Sequence, residues 1–361
     1  MKTIIIGTSK FGSPVTDYYR NLGDCFRKHN YRVVYIFDGF FTDYPEESEN
    51  LKFYTWKNKR PTKFADFSLF REILKKEKPV LCISNFGSTN IITLASYLLK
   101  VKNIISYIHT TSKAIKADAK RNVIIYNILY YRKRFIYNLN THIFTNSNGT
   151  KKDTIDHYHI KEKKITVFPL LVKNSPLKYR SFQEREKSIC IVGRLNPVKG
   201  HKELIRVFQK SLTQHPDLIL KIVGDGYLKQ ELIDLTKELQ IENNVIFTGS
   251  IPNSEINNIF SSSLICISSS VDEAYGLTLI EALREGTPLI CTQTAGSLDI
   301  VEDGINGLFF TLNDPLSFSA AIEKVLKNWE HFSKNSLEIF KQKYNLEYIE
   351  NHFNKMESII S

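Results

Sequence analysis

Short apolar runs rich in Ile, Val, Leu and Phe recur along this 361-residue chain, each followed by a stretch of helical period, and that alternation leaves few folds open. Buried strands alternating with amphipathic helices build parallel sheets covered by helices on both faces. In the first half the runs are KTIIIGTS, YRVVYIFD, PVLCISN, NIISYIHT, THIFTNS and KITVFPL. In the second they are SICIVGRL, LILKIVGDG, NVIFTGS, LICISSS, PLICTQT and NGLFF. Between the two sets, the segment from Val172 to Lys187 is polar, lacks either period and reads as a linker. A domain holds roughly 150 residues, so two are expected. The predicted organisation is α/β and doubly wound in both halves: a first domain at 1–171, a linker at 172–187, a second domain at 188–335 and a helical segment at 336–361. Two such domains place a cleft between their strand ends, where sheets of this kind bind ligands.

Charge is unevenly placed. Residues 1–180 carry 32 Lys+Arg against 14 Asp+Glu, net +18, while residues 181–361 carry 17 against 24, net −7. That asymmetry predicts an anionic partner for the first half, a membrane surface or a nucleic acid. The cysteines Cys25, Cys82, Cys190, Cys266 and Cys291 are scattered and form no C-x-x-C pair, which favours buried free thiols in a reducing cytoplasm over disulfides or a zinc site. The opening MKTIIIGTSKFG is too short in apolar residues for a signal peptide, and no run of about 18 apolar residues occurs. The expected location is the cytoplasm, without a membrane span.

The second half carries the informative constellation. The strand ICIVGRL ends in Gly193-Arg194, and NPVKG then sets Lys199 and Gly200 just before the helix HKELIRVFQKSL. Two cations and a glycine at a strand-to-helix junction suit a diphosphate. The next strands end in Gly224-Asp225-Gly226 and in FTGS. In VDEAYGLTLIEALR a helix is predicted to begin near Gly276, which leaves the N–H groups of Leu277 and Thr278 open to phosphate oxygens. Glu273 then hangs in the loop before that helix and Glu281 lies about one turn inside it, so two carboxylates can reach opposite ends of one ligand.

In order, VGRLNPVKG, IVGDG, VIFTGSIP, EAYGLTLIE and EGTPLICTQTAGSLDIVEDGINGLFF resemble the second domain of the retaining, nucleotide-sugar-dependent glycosyltransferases with the GT-B fold, the family 4-like group that includes sucrose synthase and bacterial polysaccharide and lipopolysaccharide transferases. The resemblance covers Ile189 to Phe310 well and the first half only in layout. It implies two Rossmann-like domains facing across a cleft, with C-terminal helices packing back on the first. It also implies that Arg194 and Lys199 clamp the diphosphate, that Glu273 bonds sugar hydroxyls, and that Tyr275, Gly276, Leu277 and Thr278 line the phosphate and sugar. Glu281 would hold the ribose, Gly249, Ser250 and Ile251 the base, and Gly193, Gly224 and Gly226 the pocket floor. The family often shows two glycines and a glutamate after the next strand; this chain has Ala295-Gly296 and Asp299, which leaves Asp299 either a ligand or a helix N-terminal acid.

In the first half, the resemblance implies that Gly12 lets donor and acceptor approach the first loop and that His109 faces the donor sugar. Ser13-Pro14 reads as a helix cap and first helical residue, and Ser147 and Asn148 are candidates for the acceptor site. No Asp-x-Asp spacing occurs, so no metal site is expected and Arg194, Lys199 and the helix N-terminus take over the charge of the leaving phosphate. No cofactor is implied. The implied reaction moves a hexosyl group from a nucleotide diphosphate sugar, UDP favoured and GDP possible, to a glycan or lipid-linked acceptor in bacterial surface polysaccharide or capsule assembly. The segment 113–139 interleaves Lys113, Lys116, Lys120, Arg121, Arg132, Lys133 and Arg134 with Ile and Tyr, as a helix at an anionic lipid interface does, and Lys57 to Lys63 adds a second cationic patch. A packed helix with a solvated cationic face is the alternative for 113–139. No nucleic-acid motif accompanies the charge. These features predict a peripheral enzyme at the inner face of the cell membrane. A non-catalytic sugar-nucleotide-binding partner of another transferase and a nucleotide-sugar epimerase are the competing readings.

Overall fold

The computed structural model describes residues 1–9, 11–39, 46–58, 61–113 and 122–360. Lys59, Arg60, Lys116, Lys120 and Arg121 lie outside the described residues. The chain divides into two compact units, Met1–Leu171 with Leu346–Ser361, and Val172–Asn345.

The first unit is built on seven strands: β1 (Lys2–Ser9), β2 (Tyr31–Asp38), β3 (Leu51–Thr55), β4 (Leu81–Ser84), β5 (Asn103–Ile108), β6 (His142–Thr145) and β7 (Ile165–Val167). They pair in parallel in the order β3-β2-β1-β4-β5-β6-β7. Ile4, Ile5 and Ile6 of β1 and Val33, Val34 and Ile36 of β2 are wholly buried, because helices cover both faces and a central parallel strand has no solvent side. β3 is absent from the apolar runs of the sequence. It is the edge strand next to β2, and of LKFYT only Phe53 is buried, which accounts for its weak signal.

The helix Ile349–Ile360 completes this unit by packing on the helix Pro14–Lys28. The Phe353 ring meets Phe26 edge-on at 4.9 Å and stacks on His29 at 4.0 Å, and the Tyr31 hydroxyl donates to Glu357 at 3.1 Å. Phe353, Met356 and Ile360 are buried there.

The second unit carries β8 (Glu186–Val192), β9 (Ile219–Val223), β10 (Val245–Gly249), β11 (Ser263–Ser268), β12 (Leu289–Cys291) and β13 (Gly307–Phe309). These also pair in parallel, in the order β10-β9-β8-β11-β12-β13. In both sheets the order reverses beside the first strand, between β1 and β4 and between β8 and β11, and such a switch point leaves a crevice at the carboxyl ends of the strands. Val172 bridges to Asn345, with the Val172 N–H donating to the Tyr344 carbonyl at 2.7 Å, so the second unit begins and ends side by side. All five cysteines are buried and unbridged. No described helix is long and apolar enough to cross a membrane.

Arg185, just ahead of β8, anchors the far end of the second sheet. Its guanidinium is buried and donates to the carbonyls of Phe260 (3.0 Å), Ser263 (2.8 Å), Glu285 (2.6 Å) and Arg180 (3.1 Å), and it lies 4.8 Å above the Trp329 ring. One planar fork thus ties the helix Asn253–Ser262, the start of β11 and the end of the helix Leu277–Arg284 together. Arg185→Met takes a donor from each of these carbonyls, of which that of Phe260 keeps the Thr287 hydroxyl, and a loss of about 1–3 kcal/mol is expected, the cost of a buried acceptor left without its partner. Urea denaturation checks this: the midpoint for the second unit falls, and an unchanged midpoint contradicts the anchor.

Candidate functional site

The crevice of the second unit is formed by the loops that follow β8 to β12, and their backbones are bonded to one another. Gly193 N–H donates to the Val223 carbonyl and Leu195 N–H to Asp225, joining the loops after β8 and β9. Val271 N–H donates to the Val198 carbonyl and the Ser269 hydroxyl to the Lys199 carbonyl, joining the loops after β8 and β11. Gly296 N–H donates to the Glu273 carbonyl from the loop after β12. Two glycines allow this density. A Cβ on Gly224 would lie 2.0 Å from the Gly193 carbonyl oxygen, and one on Gly200 would lie 2.1 Å from that of Ser269.

Lys199 and Glu273, 74 residues apart, form a direct ion pair across the switch point, Lys199 Nζ donating to Glu273 Oε2. Both are partly exposed, and Arg194 is exposed at the mouth of the loop after β8. Gly276 caps the helix Leu277–Arg284 with φ 88°, and the N–H groups of Leu277 and Thr278 belong to its first turn, where no intrahelical acceptor exists. Glu281 lies on this helix and is buried; burial raises its pKa to about 7, with Arg284 opposing and Glu285 reinforcing the rise. Gly226 and Gly249 flank the same strand ends, the Gly224 N–H donating to the Gly249 carbonyl at 2.9 Å, while Ser250 is exposed and Ile251 partly so. Tyr275 is buried beside Gly276. A cavity of about 540 Å³ opens from the loop that carries Glu273, lined by Ser270, Val271, Thr292, Gln293 and Thr311 among others. Asp299 sits in the first turn of the short helix Ser297–Ile300, with its carbonyl accepting from the Tyr344 hydroxyl.

The first unit gathers a separate cluster at the ends of β1, β4 and β5. Gly12 lies in the loop after β1 at φ 117°, and Ser13 caps the helix Pro14–Lys28 in a reciprocal capping box with Thr16. His109, directly after β5, has Nε2 3.1 Å from Asn85 Oδ1 and 3.0 Å from the Tyr19 hydroxyl. Asn85 Nδ2 donates to the Gly7 carbonyl at 2.9 Å, which turns Oδ1 toward the imidazole and makes Nε2 the protonated nitrogen. Burial pushes the His109 pKa down to about 3, so the ring is neutral at physiological pH. Ser147 is fully buried and caps the helix Asn148–Tyr158, accepting from the Thr150 N–H.

The sequence did not single out Asn85, which bonds His109, or Phe86, which lines one cavity of the first unit with His109, Arg132 and Lys133. The stretch NFGS directly after β4 was the available signal, but its value depends on the strand order.

Residues 173–342 match the family described as Glycosyl transferases group 1, and residues 15–173 match the one described as Glycosyltransferase Family 4. An uncharacterized glycosyltransferase of Methanocaldococcus jannaschii is 30% identical over 165 residues, 45% of this chain and 42% of that protein. The N-acetylgalactosamine-N,N'-diacetylbacillosaminyl-diphospho-undecaprenol 4-alpha-N-acetylgalactosaminyltransferase of Campylobacter jejuni is 28% identical over 193 residues, 52% of this chain and 51% of its own length. The chain thus spans about half the length, or less, of these curated relatives. The structure of HepE from Anabaena in complex with UDP superposes with a TM-score of 0.76 at 15% identity, covering 99% of this chain and 100% of that one.

The raised pKa of Glu281 sets a pH dependence of stability. The folded protein keeps this proton up to about pH 7 while the unfolded chain loses it near the ordinary value of 4.5, so stability falls as pH rises through that window. Glu281→Gln removes the penalty. Its Tm, measured without added nucleotide, is expected to exceed the parent's by a margin that grows from about pH 5 to about pH 8. A margin that is constant or shrinks over that range contradicts the buried carboxyl.

Proposed function

The chain belongs to the family 4 glycosyltransferases, with the GT-B fold, and from that premise we propose that it moves a hexosyl group from a nucleotide diphosphate sugar to a glycan or lipid-linked acceptor in bacterial surface polysaccharide assembly. UDP is the favoured nucleotide, in keeping with the UDP complex of a protein of the same fold, and GDP is the alternative. The observation that carries the reading is the Lys199–Glu273 contact at the switch point, one helix cap away from Glu281. A sugar-hydroxyl ligand in Glu273, phosphate donors in Lys199 and the first-turn N–H groups of Leu277 and Thr278, and a ribose ligand in Glu281 thereby supply the parts of a nucleotide sugar in their order.

The chemistry follows from the charge that develops. The bond between C1 and the β-phosphate oxygen breaks with its electron pair leaving on phosphate. Arg194, Lys199 and the N–H groups of Leu277 and Thr278 meet that charge. The acceptor hydroxyl attacks C1 from the same face, its oxygen forming the new bond and its proton passing to the leaving phosphate oxygen, so configuration is retained without a protein nucleophile. Glu273 holds the sugar hydroxyls, Glu281 the ribose, and the strand end at Gly249–Ile251 the base, over a floor of Gly193, Gly224 and Gly226. Tyr275 and Gly276 shape the phosphate loop, and Gly12 and neutral His109 serve the sugar and acceptor. Asp299 and Ser147 receive no role here.

Lys199→Ala or Arg194→Ala removes one preorganised charge and is expected to lower kcat with a UDP-sugar roughly 10²–10³-fold. Unchanged turnover in the folded variants sinks the clamp, and absence of turnover by the parent with every UDP- and GDP-sugar sinks the proposed activity.

The same enzyme is proposed to work at the inner face of the cell membrane, on an anionic surface met through residues 113–139. Support comes from the helix Val123–Leu139, where Ile124, Ile128, Tyr131 and Phe135 are each more than half exposed. Spaced by four, three and four residues, they form one apolar stripe, with Arg134 in the same helix turn as Phe135. Co-sedimentation with anionic vesicles is expected to fall at least about tenfold when Ile124, Ile128 and Phe135 all become Ser, since burying each apolar side chain contributes about 1.5–3 kcal/mol. Equal binding by the variant leaves the stripe without a lipid role.

A further inference from the structure

A cavity of about 280 Å³ lies at the carboxyl ends of β4 and β5 in the first unit, beside its switch point. It is near the small end of ligand pockets, with room for one sugar ring and a substituent. Among the described residues its charged lining side chains are Arg132 and Lys133, both on the helix Val123–Leu139, and none of the described lining residues is acidic. Phe86 and His109 also line the cavity.

Phe86 is 43% exposed at φ 50°, a region that an aromatic L-residue enters at a cost of about 1–3 kcal/mol. Its ring stacks on His109 at 5.0 Å and 17°, and His109 stacks on Tyr107 at 4.6 Å and 5°. The stack fixes an aromatic face at the rim of a polar cavity, the arrangement that holds the apolar face of a sugar ring. His109 supplies no charge there, being neutral and fixed as its Nε2–H form by Asn85. Among the described lining residues the positive charge is that of Arg132 and Lys133, and a guanidinium fork matches the paired oxygens of phosphate or carboxylate.

We propose that this cavity selects the acceptor by an anionic substituent, held by Arg132 and Lys133 while the acceptor's sugar ring lies on Phe86. The proposal rests on the reading of the chain as a glycosyltransferase and names the acceptor class for it: an oxyanion attached next to a sugar. That oxyanion can be the phosphate of a lipid-linked sugar or the carboxylate of an acidic glycan.

Binding of three probes to the full-length protein, followed by NMR line broadening with UDP saturating to occupy the nucleotide site, separates these sources. The probes are α-glucose 1-phosphate, methyl β-glucuronide and methyl β-glucoside. One anionic probe is expected to bind at least about tenfold tighter than the neutral glucoside, and the one that does so identifies phosphate or carboxylate. Arg132→Gln, at an exposed position, and Lys133→Gln, at a partly exposed one, are each expected to weaken that probe at least about fivefold while the Tm stays that of the parent and UDP affinity, measured separately, stays within about twofold. Equal binding of all three probes, binding of neither anionic probe, or anionic binding untouched by both substitutions overturns the proposal. Donor turnover is assayed on the same samples. A parent protein that binds the anionic probe through Arg132 but turns over no nucleotide sugar overturns the transferase reading and leaves the anion site standing.

Discussion

A parallel sheet whose strand order reverses sends the connections on either side to opposite faces, and the carboxyl ends of the two strands at the reversal are left uncovered. Arg194, Lys199 and Glu273 of the second unit lie in the loops that leave the two strands of that gap, β8 and β11. The loops leaving these strands bond to each other, Val271 to Val198 and Ser269 to Lys199. The ion pair of Lys199 and Glu273 is a consequence of this backbone weave. The first unit repeats the device between β1 and β4, where Asn85 reaches back to Gly7 and orients His109.

Burial acts with opposite sign on the ionisable groups of the two units, and the chemistry divides accordingly. A dry site disfavours whichever form is charged, so Glu281 holds its proton to about pH 7 and His109 sheds its own down to about pH 3. His109 is thereby neutral at physiological pH, while Glu281 is about half protonated there. The charges that remain, Lys199 and Glu273 in one unit and Arg132 and Lys133 in the other, sit where solvent or ligand can reach them.

What the sequence makes legible is local or repetitive. Strands such as IIIG and ICIV announce themselves because a strand buried on both faces must be apolar throughout, and Ser13-Pro14 marks a helix start by chemistry confined to four residues. The loops after β8 and β11 were readable through a family resemblance. β3 was not legible, since an edge strand with one buried residue satisfies no pattern. Nor was the part of Arg185, whose acceptors Phe260 and Glu285 lie 75 and 100 positions away, or that of Phe86, which has meaning only once β4 and β5 are known to be neighbours and His109 is known to stack on it. Partnership at long range is set by topology, and strand order is not written in any single run.

The side-by-side termini of the second unit make it, in effect, a guest inserted into the first. On the ribosome the host has all seven strands long before it has the helix Ile349–Ile360, and until that helix emerges the faces of Phe26 and Tyr31 that meet Phe353 stay bare. The guest can close on itself first, since its own residues are contiguous. The order of birth and the order of completion are therefore reversed: the half that is made first is the half that finishes last, and during elongation its uncovered aromatic seam is the surface that a holding chaperone has reason to occupy.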